Sequence, residues 1–351
     1  MKDVLYIGPD HKGHRGGIGA VLDTYSANIR PFKFIPTYNN SSAIRRQFFF
    51  LKAVISLIRL MLTDKDIRIV HIHSAQKGSF MRKSIMLRLA QMFGRKAVLH
   101  MHASSFHVYY KNAGIFRPYV RYIFRKADAV ICLSDKWYEF YSTNFQIRNL
   151  VIVKNVIERS AQKPAPLPET GPVKLLFLGL IGERKGIFDL LKVLETHPDK
   201  FNDNLRLNIG GNGEVDRLTE TIKTKHRSGN VQFEGWVVGE RKNELLRDCD
   251  IYILPSYNEG LPISILEAMA NGKAIISTTI GGIPEVVIPG RNGWLFEPGN
   301  LDQLTAVLSD AISDRRRLRQ YGENSYLLSE NYTPEAVMGS LRDLYDQVLI
   351  A

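Results

Sequence analysis

Two doubly wound α/β domains in series are predicted for this 351-residue chain, and three observations predict them. Short runs of Val, Ile and Leu alternate with longer amphipathic stretches. The alternation breaks once, in a proline-rich segment, and then restarts. Glycine-rich loops follow several of the apolar runs. The length is too great for one typical domain and suits two of about 150 residues each.

In the first half, residues 4–7, 68–73, 97–102, 130–133 and 150–153 read as buried strands. Helices are predicted between them, at 18–28, 42–62 and 79–93. Strands spaced by helices imply βαβ units and a parallel sheet. Residues 158–172, ERSAQKPAPLPETGP, carry Pro164, Pro166, Pro168 and Pro172. Such a run resists helix and favours an extended linker. The predicted organisation is therefore a first domain over 1–157, a linker over 158–172 and a second domain over 173–330.

The alternation then resumes. Strands are predicted at 175–178, 205–209, 231–233, 251–254 and 274–277, and helices at 187–195, 214–226, 240–248 and 262–271. The end is helical, at 301–312 and 315–328. A final helix over 331–351 has Thr333 as N-cap and Pro334 at its first helical position.

Composition excludes several classes. Cys132 and Cys249 are far apart with no CxxC, which fits neither a disulfide framework nor a metal site. The apolar stretch at 4–7 is too short for a signal core. No run of about 18 apolar residues is present to span a membrane. A cytoplasmic location is the expectation. Charge is uneven: residues 1–170 hold 27 basic and 10 acidic side chains, residues 171–351 hold 20 and 25. A basic first half suits an anionic partner such as lipid, a phosphorylated acceptor or nucleic acid.

The most informative segment is SYNEGLPISILEAMANGKAIISTTIGGIPEVV, residues 256–287. A strand ends at Pro255, a loop follows, and Pro262 suits the first position of a helix that Gly272 ends. Ligands of parallel α/β sheets bind at the carboxyl ends of strands. A helix N-terminus there presents unpaired N–H groups to a phosphate. Glu259 precedes the helix and Glu267 lies inside it, so one carboxylate suits a sugar hydroxyl and the other a ribose. Gly281 and Gly282 let the next loop approach a ligand closely. Lys185 stands at the first crossover, where a point charge can neutralise a diphosphate. Gly210-Gly211-Asn212-Gly213 reads as a tight strand-to-helix turn.

In the first half, Gly16-Gly17-Ile18-Gly19 opens the first helix, with backbone N–H groups placed for a phosphate. Seven of the nine histidines lie in this half. His100 and His102 share one face of a strand by alternation. His102, at the strand end, suits hydrogen bonding or charge stabilisation. His71 and His100 read as buried, satisfied histidines. Nothing in the spacing requires a metal ion.

These motifs together resemble the retaining glycosyltransferases of family four, of the GT-B fold. The resemblance covers nearly the whole chain. It implies two Rossmann-like domains facing across a cleft, with the C-terminal helix crossing back to the first. It implies that Glu267 holds the ribose of a nucleotide-sugar, that Glu259 contacts the donor sugar beside the N–H groups of Gly260 and Leu261, and that Lys185 faces the diphosphate. Gly16, Gly17 and Gly19 would approach the donor, and His102 would sit where the new bond forms. It implies no cofactor and no metal. One departure stands out: such enzymes usually carry an arginine directly after the glycine of the crossover strand, and here that residue is Leu180. Either Arg184 or another basic residue compensates, or the donor is held differently.

The implied function is transfer of a sugar from a UDP- or GDP-sugar to a saccharide acceptor, lipid-linked, in bacterial surface polysaccharide biosynthesis. Segment 42–62 combines Arg45, Arg46, Lys52 and Arg59 with Phe48, Phe49, Phe50, Leu51 and Ile55. That suits a helix lying on anionic lipid, and peripheral attachment to the inner face of the membrane is the expectation. Residues 117–126 add four more cations among aromatics. A sugar-nucleotide epimerase of the same architecture and a nucleic-acid-binding protein are the alternatives. No zinc-finger spacing or RNA-binding motif supports the second.

Overall fold

The computed structural model describes residues 1–12, 16–39, 42–159, 170–226 and 229–350. The chain forms two compact units, Met1–Ile157 with Tyr332–Ala351, and Glu158–Asn331. Most of the proline-rich segment lies outside the described residues.

In the first unit the strands are β1 (Val4–Gly8), β2 (Lys33–Pro36), β3 (Ile69–Ser74), β4 (Lys96–Met101), β5 (Ala129–Cys132) and β6 (Leu150–Ile152). They form one parallel sheet in the order β2-β1-β3-β4-β5-β6. Strands buried on both faces explain the unbroken apolar runs. β2, absent from the sequence reading, is four residues long, ends in Pro36 and lies at the sheet edge, the place where a strand tolerates proline. The strand predicted to reach His102 stops at Met101. His102 still follows the sheet, its amide donating to the Ser74 carbonyl at 2.8 Å. The final helix, Pro334–Ile350, packs on this unit through Val337, Leu341, Leu344, Tyr345 and Val348.

The helix Ala43–Thr63 divides its apolar residues between two faces. Ala53, Leu57 and Met61 are buried, whereas Ile44, Phe48, Leu51, Ile55 and Leu62 are each more than half exposed. Phe50 packs against the core.

The second unit holds β7 (Val173–Ile181), β8 (Leu205–Gly213), β9 (Val231–Phe233), β10 (Ile251–Leu254), β11 (Ala274–Thr278) and β12 (Gly293–Phe296). These are parallel, in the order β12-β11-β10-β7-β8-β9. β12 escaped the sequence reading because it is a four-residue edge strand opening with glycine. The Gly210–Gly213 stretch corrects another expectation. It is not a turn but the end of β8, paired residue for residue with Leu178–Ile181. A Cβ on Gly211 would lie 2.0 Å from the Gly179 carbonyl oxygen. The missing side chains thus permit the pairing that extends both strands towards the site.

Gly211→Ala should cost about 1–3 kcal/mol of stability through this clash. Gly339→Ala, in the final helix with no heavy atom within 4 Å of the new Cβ, should stabilise by about 0.5–1 kcal/mol. Urea denaturation of the two variants against the wild type checks both signs.

Candidate active site

Strand order in the second unit reverses between β7 and β10, and ligands of open α/β sheets bind at such a reversal. After β7 the chain makes a short 3-10 turn, Glu183–Lys185, and enters the helix Ile187–Thr196 through Gly186 at φ 69°. Gly186 is required twice. Its φ is left-handed, and a Cβ there would lie 1.9 Å from the Pro255 carbonyl oxygen. This contact presses the loop after β7 onto the loop after β10. The Tyr257 amide donates to the Arg184 carbonyl at 3.0 Å, and Arg184 Nη1 donates to the Asn258 carbonyl at 3.2 Å.

Held this way, Lys185 Nζ bonds Glu259 Oε1, with only 13% and 8% of the two side chains exposed. Losing one partner of so buried a pair strands the other's charge. The loop after β11 closes on the same turn. A Cβ on Gly281, at φ +60°, would lie 2.0 Å from the Glu259 carbonyl oxygen, and the Gly282 amide donates to the Gly260 carbonyl at 2.7 Å. The two glycines therefore serve the Glu259 loop directly. Leu261 is buried.

The helix that follows spans Ile263–Ala270. Pro262 caps it instead of occupying its first helical position, and Gly272 at φ 67° lies beyond its end. Glu267 Oε1 accepts from Lys242 Nζ at 2.7 Å, its side chain 23% exposed. Both acids act on the buried Tyr252. Its hydroxyl donates to the Leu178 carbonyl at 2.9 Å. Burial above all, then its hydrogen bond with Ser264, then the charges of Glu267 and Glu259 act on it, and the net effect holds its pKa well above normal. Leu180, where the resemblance leads to an arginine, is 44% exposed. Arg184 does not take that place; its guanidinium lies against the Glu259 loop.

The first unit holds the other expected residues. Gly16 precedes the helix Gly17–Asn28, which has no side-chain cap. Gly16 and Gly17 are exposed and Gly19 is buried. His102 belongs to a block of four imidazoles at the ends of β3 and β4. His73 Nδ1 pairs with His102 Nε2 at 2.9 Å, and His71 Nε2 with His100 Nδ1 at 3.0 Å. His71 Nδ1 meets the Tyr345 hydroxyl on the final helix. His71, His73 and His100 are buried, and ring nitrogens of all three lie within 4.8 Å of one another. This is metal-ligand spacing, which the sequence reading did not anticipate. Burial pushes His71 and His102 down to about 3 and holds His73 and His100 well below the usual range. At that value the His102 ring is neutral near pH 7.

Residues 158–328 match the family model described as glycosyl transferases group 1, and residues 14–160 match that of glycosyltransferase family 4. The chain belongs to the group 1 glycosyltransferases. An uncharacterized glycosyltransferase of Methanocaldococcus jannaschii, MJ1178, is 24% identical over 289 residues, 82% of this chain and 78% of that protein. The putative colanic acid biosynthesis glycosyltransferase WcaL of Escherichia coli is 26% identical over 229 residues, 60% of this chain and 56% of its own length. Among solved structures, Anabaena HepE in complex with UDP-glucose superposes with a TM-score of 0.77 at 17% identity, covering 98% of this chain and 99% of that one. The fold is GT-B.

In this glycosyltransferase the structure joins Lys185 to Glu259 and sets Gly260 against Gly282. Glu267 pairs with Lys242 instead, while Gly16, Gly17, Gly19 and His102 belong to the other unit. Sequence reading missed Lys242, Tyr252, Gly186 and His73. Gly186 follows Lys185 in a glycine-bearing crossover, a signal that could have found it. Lys242 and Tyr252 carry none, because tertiary contact alone brings them to Glu267 and Glu259.

The histidine block sets a pH response. Each imidazole titrates near 6.5 when unfolded and far lower when folded, so the unfolded chain takes up protons first as pH falls. This contribution to stability is complete above about pH 6.5 and declines below it towards pH 3. Thermal unfolding of the glycosyltransferase at pH 7.5 and pH 5.5 should show the lower midpoint at pH 5.5. His100→Phe should narrow the difference.

Proposed function

We propose that this enzyme transfers a sugar from a UDP- or GDP-sugar to a saccharide acceptor carried on a lipid, with retention of configuration and without a metal ion, in bacterial surface polysaccharide assembly. The observation that carries the reading is the buried Lys185–Glu259 pair at the reversal of strand order, ringed by two glycine loops and an uncapped helix start. HepE was solved with UDP-glucose, and WcaL is named for colanic acid biosynthesis. Both supports enter by similarity.

In this reading the donor diphosphate draws the Lys185 ammonium from Glu259, and the released carboxylate accepts from a donor-sugar hydroxyl. Glu267 exchanges Lys242 for the ribose hydroxyls. As the sugar–phosphate bond breaks, negative charge gathers on the departing phosphate. Lys185 and the backbone N–H groups at the start of the helix Ile263–Ala270 are set to receive it. Neutral His102, its ring held by His73, hydrogen-bonds the transferred sugar. No enzymic nucleophile is assigned. The leaving phosphate takes the acceptor proton on the face from which it departs.

The lipid-carried acceptor is supported by the helix Ala43–Thr63. Its exposed face carries Ile44, Phe48, Leu51, Ile55 and Leu62 with Arg45, Lys52 and Arg59 beside them. No helix among the described residues is long and apolar enough to cross a membrane, and a basic amphipathic face suits attachment to its surface.

Calorimetry with UDP and GDP should give binding of one of them. Lys185→Ala should lower kcat for nucleoside diphosphate release by about 10²–10³-fold, the scale for one lost donor at a developing charge. An unchanged rate would refute the assignment. In flotation assays the enzyme should rise with phosphatidylglycerol vesicles and not with phosphatidylcholine vesicles. Phe48→Ser/Leu51→Ser should stay at the bottom of the gradient.

A further inference from the structure

The first unit gathers cations that have no ion-pair partner among the described residues. Tyr38 follows β2 at the carboxyl edge of the sheet. The guanidinium carbons of Arg46 and Arg82 lie 5.8 Å and 5.6 Å from the centroid of its ring. Lys83 is 1% exposed, and its Nζ donates to Thr37 Oγ1, whose own hydroxyl donates to the carbonyl that ends β1. Arg46 repels Arg82, and Arg82 repels Lys83, which burial and that charge push down to about 7. Among the described residues, no ion pair includes Arg46, Arg82 or Lys83. The Asp10 amide donates to the Tyr38 carbonyl, but the Asp10 carboxylate forms no ion pair with any of the three. Residues 13–15 and 40–41 contain no Asp or Glu.

Local electrostatics are inverted as well. Arg46 lies in the first turn of the helix Ala43–Thr63, and Arg82 in the first turns of the helix Gly78–Met92. Neither helix has a side-chain cap or an acidic residue in its first turn. A helix start carries partial positive charge and favours anions. Two arginines, a buried lysine and two uncapped helix starts at one edge all favour the same counter-charge. Arg82 Nε is buried and unpartnered. The strand order of this sheet reverses between β1 and β3, beside this cluster, where ligands of such sheets bind.

We propose that Arg46 and Arg82 clamp a phosphate or diphosphate ester of the acceptor, with Lys83 beneath them supplying charge and fixing Thr37. The inference rests on the acceptor reading above and adds its recognised group. Two guanidinium groups on one phosphate make strong, geometrically specific contacts.

The test is calorimetry with inorganic pyrophosphate on the full chain, with the donor site saturated by UDP. The wild type should bind one pyrophosphate, and Arg46→Gln/Arg82→Gln should bind it at least about tenfold more weakly, the scale of one lost charged hydrogen bond. UDP affinity, titrated separately, should not change. The variant without ligand should melt no lower than the wild type, because repulsion is relieved. Pyrophosphate should raise the melting temperature of the wild type alone. Competition separates the sources. Displacement by farnesyl diphosphate in detergent assigns a lipid-linked ester, and displacement by glucose 1-phosphate assigns a soluble one. No pyrophosphate binding by the wild type, or equal binding by the variant, would overturn the proposal. Failure to bind UDP would instead strike the donor reading and leave the pyrophosphate comparison standing.

Discussion

The candidate donor site depends on one close approach, that of Gly186 to the Pro255 carbonyl oxygen. It brings the loop after β7 onto the loop after β10, and only a residue without a Cβ permits it. From that contact follow the Tyr257–Arg184 backbone bond, the burial of Lys185 against Glu259 and the seat on which Gly281 rests. A buried ion pair is a poor source of stability, since desolvation offsets its attraction. Its value here is poise. An ammonium and a carboxylate are kept largely out of water, and in the proposed reading a diphosphate and a sugar hydroxyl replace each partner for the other.

The first unit solves a different problem. Its sheet ends in four imidazoles that bond to one another instead of to acids, so the block stays neutral and His102 offers a hydrogen bond without a charge. The Tyr345 hydroxyl reaches His71 from the far end of the sequence. The last helix is thus tied to the same block that orients His102. Beside β2 the balance is opposite: Arg46 and Arg82 have no ion pair among the described residues, and Lys83 is buried next to them.

The two halves also divide in charge. The basic surplus of residues 1–170 is not spread evenly in its effect. Part lines the exposed apolar face of the helix Ala43–Thr63, and part converges on Tyr38. One arrangement suits an extended anionic surface and the other a single anionic group.

Fold class and most strands were legible in the sequence, because hydrophobic period and proline are local signals. Runs of apolar residues between helices determined a parallel sheet, since only strands covered on both faces read that way. Short edge strands with proline or glycine were not legible: β2 and β12 have too few residues to show a period. Nor was the extension of β8 through Gly210–Gly213, where glycine read as a turn and pairing with β7 made it strand. Partners separated by dozens of residues were decided by tertiary structure alone. Lys185 met Glu259, Lys242 met Glu267, His73 met His102 and Arg46 met Arg82 only after the strands were ordered. Spacing along a chain carries no information about which strand ends become neighbours, and those neighbours decide which charges are paired, neutral or left open.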